Sequence, residues 1–349
     1  MKGIDMGWLW QWGLGLATAL VAAVAAVIAW GGPSALPPKA SINQPFKDQD
    51  WSGLPPLKTV PARDRLPLAY REYLPAAVAG APAEAARRDG TVLLVHGSSA
   101  HSASMHSLAQ GLAAMGWRVV TLDVRGHGES GPHGHIAYLG QLEDDLADLV
   151  AGQAAQAAQA GQTGWPRPLR LAGFSAGGGL ALRVACGPLQ DLFDGYLMLS
   201  PFLGQDDPSY RPDAGGWVSV GVPRLLVLQA LHKVGLNTFQ HLPVMRFAVA
   251  PGGFAQLTDA YDWPLASNFR PEPSQMSQLA FCQRPMQVVA GARDEVFQTD
   301  RYAASFQAGG KPLPVTLVPG LDHVGLILQP QARPAIDAAL LALPPPSSR

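Results

Sequence analysis

The stretch Leu169-Arg170-Leu171-Ala172-Gly173-Phe174-Ser175-Ala176-Gly177-Gly178-Gly179-Leu180 constrains the fold of this chain more than any other. A short apolar run leads into Gly-x-Ser-x-Gly, and an Ala/Leu-rich helical pattern leads out. That order predicts a strand, a sharp turn and a helix. The small residues let strand and helix backbones approach closely around a serine held in a strained turn. The N–H of Ala176, first in the predicted helix, then faces any negative charge that develops beside Ser175.

Regular patterning surrounds this turn. Thr91–Val95, Arg118–Leu122, Leu169–Ala172, Tyr196–Leu199, Met286–Ala290 and Val315–Val318 read as buried strands. Helical patterns separate them at Ser107–Met115, within 136–160, where Asp144, Asp145 and Asp148 are expected on the polar side, and at Ala176–Cys186. Leu66–Leu74 reads as an opening strand of an antiparallel pair; 76–89 carries no readable pattern. Apolar strands alternating with helices specify a mostly parallel, doubly wound sheet covered on both faces, an α/β class. Ligands of such sheets bind at the carboxyl ends of the strands. Residues 201–283 interrupt the alternation with prolines, aromatics and apolar segments such as Val218–Val234, and are expected to form a cap or lid.

The amino terminus has a different character. No charged residue occurs from Met6 to Pro38, and Trp8–Trp30 is mostly apolar, long enough for a transmembrane helix. Trp8, Trp10, Trp12 and Trp30 sit where interfacial anchors belong. We expect an uncleaved membrane anchor over 1–32, with the remainder on the extracytoplasmic side; secretion after signal cleavage is the alternative, since Ala29-Trp30-Gly31 is a poor cleavage site. Residues 33–61 are proline-rich and aperiodic and read as a linker to a domain over 62–349. Cys186 and Cys282 suit no metal motif; two buried free thiols are expected, a disulfide being open. A net charge of −1 with 15% charged residues speaks against nucleic-acid binding.

A serine nucleophile needs a base and an acid at neighbouring strand ends. Of nine histidines, His323 follows the strand Val315–Val318 in Gly320-Leu321-Asp322-His323-Val324-Gly325. Asp294, preferred to Glu295, follows the preceding strand. Serine, acid and histidine then occur in chain order. Ser98, in the turn after Thr91–Val95, is the candidate for a second backbone N–H beside that of Ala176. His96 is expected to orient this loop and His127 to make structural hydrogen bonds. His101, His106 and His133 match no ligand spacing and no metal is expected.

Together, His96-Gly97-Ser98-Ser99-Ala100-His101-Ser102, Asp123-Val124-Arg125-Gly126-His127-Gly128-Glu129-Ser130, Gly173-Phe174-Ser175-Ala176-Gly177, Asp294 and His323 resemble the α/β-hydrolase superfamily. They are most similar to its monoacylglycerol lipase and lysophospholipase branch, which includes serine aminopeptidase-like members. The resemblance spans about Leu66 to Leu343, apart from the insertion. It implies an α/β-hydrolase fold with a cap and a Ser-His-Asp hydrolase without a cofactor, with Ser175 as nucleophile, Asp294 as acid, His323 as base, and Ser98 and Ala176 as oxyanion donors. Ser99 and Ala100 replace the glycine and acidic residue of the usual lipase loop, which leaves the substrate open. The expected partner is an acyl-chain or lysolipid-type ester, with the membrane reached through the anchor. A peptidase or amidase is the alternative, with Asp259, Asp262 or Glu272 holding a substrate amine. A non-catalytic, membrane-tethered binding protein is the third reading.

Overall fold

The computed structural model of the chain describes residues 6–75, 88–250 and 257–343, with side chains from residue 11. The patternless connection at 76–89 therefore lies outside them except for its last two residues. Eight strands make the main sheet: β1 (Lys58–Pro61), β2 (Pro67–Tyr73), β3 (Thr91–Val95), β4 (Arg118–Leu122), β5 (Leu169–Phe174), β6 (Gly195–Leu199), β10 (Met286–Gly291) and β11 (Val315–Val318). A second sheet holds β7 (Val218–Val220), β8 (Pro243–Phe247) and β9 (Ala260–Asp262). The main order is β1-β2-β4-β3-β5-β6-β10-β11. β1 and β2 pair antiparallel, β2 runs antiparallel to β4, and every later pairing is parallel.

The two faces of the sheet explain the continuous apolar runs. On β3, Leu93 and Val95 join a cluster with Leu142, Leu146 and Leu180, from α4 (Gln141–Gln159) and α5 (Ala176–Ala185). Val92 and Leu94 join another with Leu108 and Leu112 of α3 (His106–Ala114) and Ile336 and Leu340 of the last helix. Successive residues of a strand point to opposite faces, and along β3 both faces are dry. The edge strand β11 departs from the expected burial, with Thr316 and Leu317 exposed, because among the described residues no strand or helix covers the sheet's rim there. One aspartate departs from the expected polar side of α4. Asp145 is buried and pairs at 2.7 Å with the buried Arg125 of the β4–α4 loop, while Asp144 and Asp148 pair with Arg63. The charges compensate each other inside the fold, a pattern that amphipathic periodicity cannot reveal.

Residues 33–61 are not a spacer. They contain α2 (Ala40–Lys47), which buries Ile42 against the main core, and the edge strand β1. Pro45 inside α2 and the short length of both elements hide them from periodicity. The cysteines are not free thiols either: Cys186 and Cys282 form a disulfide across a sequence separation of 96. Cys186 precedes β6 and Cys282 precedes β10, and these strands are neighbours, with Tyr196 beside Met286. Their pairing therefore depends on a strand order that spacing alone does not specify.

The insertion folds as its own layer, with β7–β8–β9 antiparallel and a helix, Val222–Lys233, leaving β7. At the other end of the chain, α1 (Met6–Trp30) contains a run, Gln11–Trp30, of mean hydropathy 2.2, long and apolar enough to cross a membrane. Its last turn is bonded to the cap. Arg224 donates to Ile28 O at 2.8 Å and Ala29 O at 3.0 Å from its guanidinium, and to Gly31 O at 3.2 Å from its backbone. These carbonyls end the helix and lack partners within it, so a cation there is favourable on two counts.

Candidate active site

Ser175 sits between β5 and α5 at φ 55°, ψ −116°, a backbone conformation that costs a non-glycine residue energy. Its surroundings hold it there. Its N–H donates to Leu199 O at 2.9 Å, and its carbonyl accepts from Phe202, Gly178 and Gly179. The glycines around it have no room for a side chain. A Cβ on Gly173 would lie 2.0 Å from Gly177 O, and one on Gly177 would lie 2.4 Å from His96 O. The turn thus packs backbone on backbone, and the Gly-x-Ser-x-Gly composition follows from that.

Asp294 leaves β10 and His323 leaves β11, and parallel pairing of these strands sets the two loops side by side. His323 Nδ1 lies 2.8 Å from Asp294 Oδ2, with both side chains buried. The other carboxylate oxygen accepts from Val296 N–H and Phe297 N–H, each at 2.8 Å. Burial alone would raise the Asp294 pKa. The charge and hydrogen bond of His323, with the two N–H groups, outweigh it and hold the carboxyl below its ordinary value. Phe174 and Phe297 clasp the imidazole, with ring centroids 4.7 and 5.3 Å away. Glu295 turns away from the imidazole. Its carboxylate accepts from the His323 backbone N–H at 3.0 Å and from the Ser41 hydroxyl at 2.9 Å.

Ser175 and His323 line one cavity of about 830 Å³, its open mouth included. Its other walls come from the loop Gly97–Ala100, from Trp217 of the cap, and from Ile42, Asn43, Phe46, Lys47 and Trp51. A second cavity, of about 490 Å³ on the same measure, starts at Ser98, Ser175 and Ala176 and runs between Phe202, Phe247, Phe269 and Phe297. Ser98 and Ala176 therefore share a cavity with the serine. The Ser98 hydroxyl accepts from Trp217 Nε1 at 3.0 Å, which ties the first loop to the cap.

The histidines divide as their contacts dictate. His96 is buried, with Nδ1 2.7 Å from Gly97 O and Nε2 accepting from Val124 N–H at 3.1 Å. It cross-links the loops after β3 and β4, and burial lowers its pKa to about 4. His127 Nε2 lies 2.6 Å from the Tyr261 hydroxyl, which accepts from Ser99 N–H at 2.7 Å. Ser99 itself has φ 68°, so this bond holds a strained turn next to the serine. Tyr261 and Trp217 are contributions that the sequence reading lacks. Each is a lone aromatic in a cap strand or its flank, more than one hundred positions from its partner, and no spacing marks it. His106 is bonded to Tyr73 and Ser52 O, and His133 to Gly128 O. Among the described residues no group of His, Cys, Asp or Glu is arranged to hold a metal ion.

The carboxylates considered for a substrate amine lie elsewhere. Asp262 bonds His135 and caps the helix Trp263–Asn268, and Glu272 pairs with Arg183. Neither they nor Asp259 border the two cavities, and no Asp or Glu is among the described residues that do.

The strand order, the serine turn after the fifth strand and the inserted cap define an α/β-hydrolase. The chain belongs to the family described as serine aminopeptidase, S33, whose model matches residues 86–260, just over half of it. Among solved structures it is similar to a soluble variant of monoglyceride lipase from Saccharomyces cerevisiae in complex with a substrate analog. The TM-score is 0.58 at 16% identity, over 89% of this chain and 98% of that one. It is similar also to a bacterial membrane phospholipase A, with TM-score 0.52 at 18% identity over 96% and 98% of the two chains. An esterase from Thermogutta terrifontis gives TM-score 0.54 at 18% identity over 82% and 99%. At such identities the likeness is one of fold. No curated protein matches the sequence.

Proposed function

We propose that this chain is a serine hydrolase of carboxylic esters of the acyl-chain or lysolipid type. Ser175 Oγ attacks the ester carbonyl while His323 takes its proton, and Asp294 holds the imidazole tautomer and stabilises the imidazolium. The N–H groups of Ser98 and Ala176 hold the oxyanion, and His323 returns the proton to the departing alcohol. Water then cleaves the acyl-enzyme by the same route in reverse. The observation that carries this reading is the Asp294–His323 pair at 2.8 Å, with its imidazole on the same cavity as Ser175. The family's name raises a peptidase or amidase. The absence of a carboxylate among the described cavity residues favours the ester, because a protonated substrate amine would have no counter-charge there.

We read residues 1–32 as a membrane anchor and 62–349 as the body of the hydrolase domain, joined by α2 and β1 of the segment 33–61, with its cap at about 201–283. The Cys186–Cys282 disulfide supports a location on the oxidising, extracytoplasmic side. The test of the chemistry is a chain-length series of p-nitrophenyl esters on wild type and Ser175→Ala, with fluorophosphonate labelling in parallel. Turnover should fall on the order of 10³-fold or more in the variant, and labelling should vanish. Turnover and labelling that both persist without Ser175 would overturn the proposal.

A further inference from the structure

Helix α2 and the turn behind it are built into the cavity wall and firmly seated. Lys39 N–H donates to Ala248 O at 2.9 Å, and Asn43 closes a pair of bonds to the same cap strand end, to Ala248 O and from Ala250 N–H, each at 2.8 Å. Lys39 Nζ reaches Gly215 O at 2.7 Å, and Ser41 holds Glu295, whose other oxygen holds the His323 backbone. Three parts of the protein therefore meet at α2: cap, acid–base loops and the segment leaving the apolar helix. The face that results puts Phe46, Trp51 and Lys47 on the cavity.

The two cavities differ in the group they offer a substrate. The one between Phe202, Phe247, Phe269 and Phe297 carries no charged side chain among its described residues and is bordered by Ser98 and Ala176. The one under α2 is bordered by His323, which the other is not. A departing alcohol must take its proton from His323, so it lies on the α2 side, and the acyl chain lies on the phenylalanine side. Lys47 is exposed and is the one permanent charge among the described residues of either cavity.

We propose that α2 is the leaving-group wall of the substrate site, and that Lys47 selects esters whose alcohol portion carries an anionic group. The inference rests on Ser175 and His323 acting as described above. Its test uses the full chain in detergent micelles and three octanoyl esters: of glycerol, neutral; of glycerol 3-phosphate, a phosphate anion; and of lactate, a carboxylate. Exposed ion pairs are weak and screened by salt, so Lys47→Gln should lower kcat/KM for an anionic ester by roughly three- to tenfold at low salt. The loss should appear in KM, Lys47→Arg should retain the activity, and the glycerol ester should be unaffected. Comparison of the two anions tells phosphate from carboxylate. Phe46→Ser, on the same wall, should raise KM for all three esters without changing the preferred acyl length in the p-nitrophenyl ester series. Equal effects of Lys47→Gln on neutral and anionic esters, no effect on any, or a changed acyl-length preference in Phe46→Ser would each overturn the proposal. Ser175-dependent turnover that ignores Lys47 removes this inference alone; turnover indifferent to Ser175 removes the hydrolase reading with it.

Discussion

His96 and His127 pack ring against ring behind the serine, with centroids 4.9 Å apart, and burial holds both below the ordinary histidine pKa. In the folded chain they stay neutral as the pH falls; in the unfolded chain each takes a proton near pH 6.5. Between about pH 6.5 and about 4, where His96 titrates in place, the unfolded state binds more protons. Stability therefore drops with pH across that window. Asp262 acts in the opposite sense, because burial raises it to about 6 and the folded state takes that proton first. With His106, which burial also lowers, three imidazoles stand against this carboxyl, so the balance is a loss of stability as the pH falls from 7 to 5. The urea midpoint should fall accordingly, and His96→Gln should flatten the fall; a midpoint constant over that range would contradict the assignment. At this scale the approach of Asp294 to His323 was legible, since each residue directly follows a recognisable strand. The supporting contacts were not. Tyr261 reaches Ser99 and His127 by a hydroxyl whose partners are distant in sequence, and Glu295 looked like a second acid rather than a link between Ser41 and a backbone N–H.

Among the elements, those that obey one period were readable and those that serve two surfaces were not. The buried strands β3, β5 and β6 announced themselves as continuous apolar runs. The cap strands β7 and β9 have three residues each, too few to show alternation, and their sheet is held by register with β8. Helix α2 buries Ile42 against the core, turns Phe46 to the cavity and leaves Ala40, Ser41, Gln44 and Lys47 exposed, so its composition resembles a polar linker. The disulfide joins the segments before β6 and β10 and closes a loop that contains the cap. A cross-link over a loop of that size restricts the unfolded chain by about 4 to 5 kcal/mol in the chain-entropy account. Cys186→Ala with Cys282→Ala should lower the melting temperature by several degrees in the absence of reductant and make it insensitive to dithiothreitol. A wild-type melting curve already insensitive to reductant would count against the bond.

For the molecule as a whole, the parallel strands and the break for the cap could be read from hydrophobic runs alone, whereas the order in which the strands lie in the sheet could not. The relation of the amino-terminal helix to the rest could not, because it depends on Arg224 meeting three main-chain carbonyls 193 to 196 positions earlier (224 − 31 and 224 − 28). Fractionation tests the anchor. Full-length protein should sediment with membranes and resist high salt and carbonate, and a chain lacking residues 1–32 should be released; full-length protein free in the supernatant would overturn the reading.

The bonds from Arg224 have a mechanical consequence. An enzyme on a slack leash swings through a hemisphere and meets the bilayer edge-on, upside down and every way between. Here the last turn of α1 is fastened to the cap helix Val222–Lys233, and α2 follows directly onto the cavity. With α1 in a bilayer, the cavity mouth keeps one height and one heading. For the lipid ester and the anchor we propose, Ser175 would then be reached by drifting sideways in two dimensions, not by leaving the membrane and colliding at random.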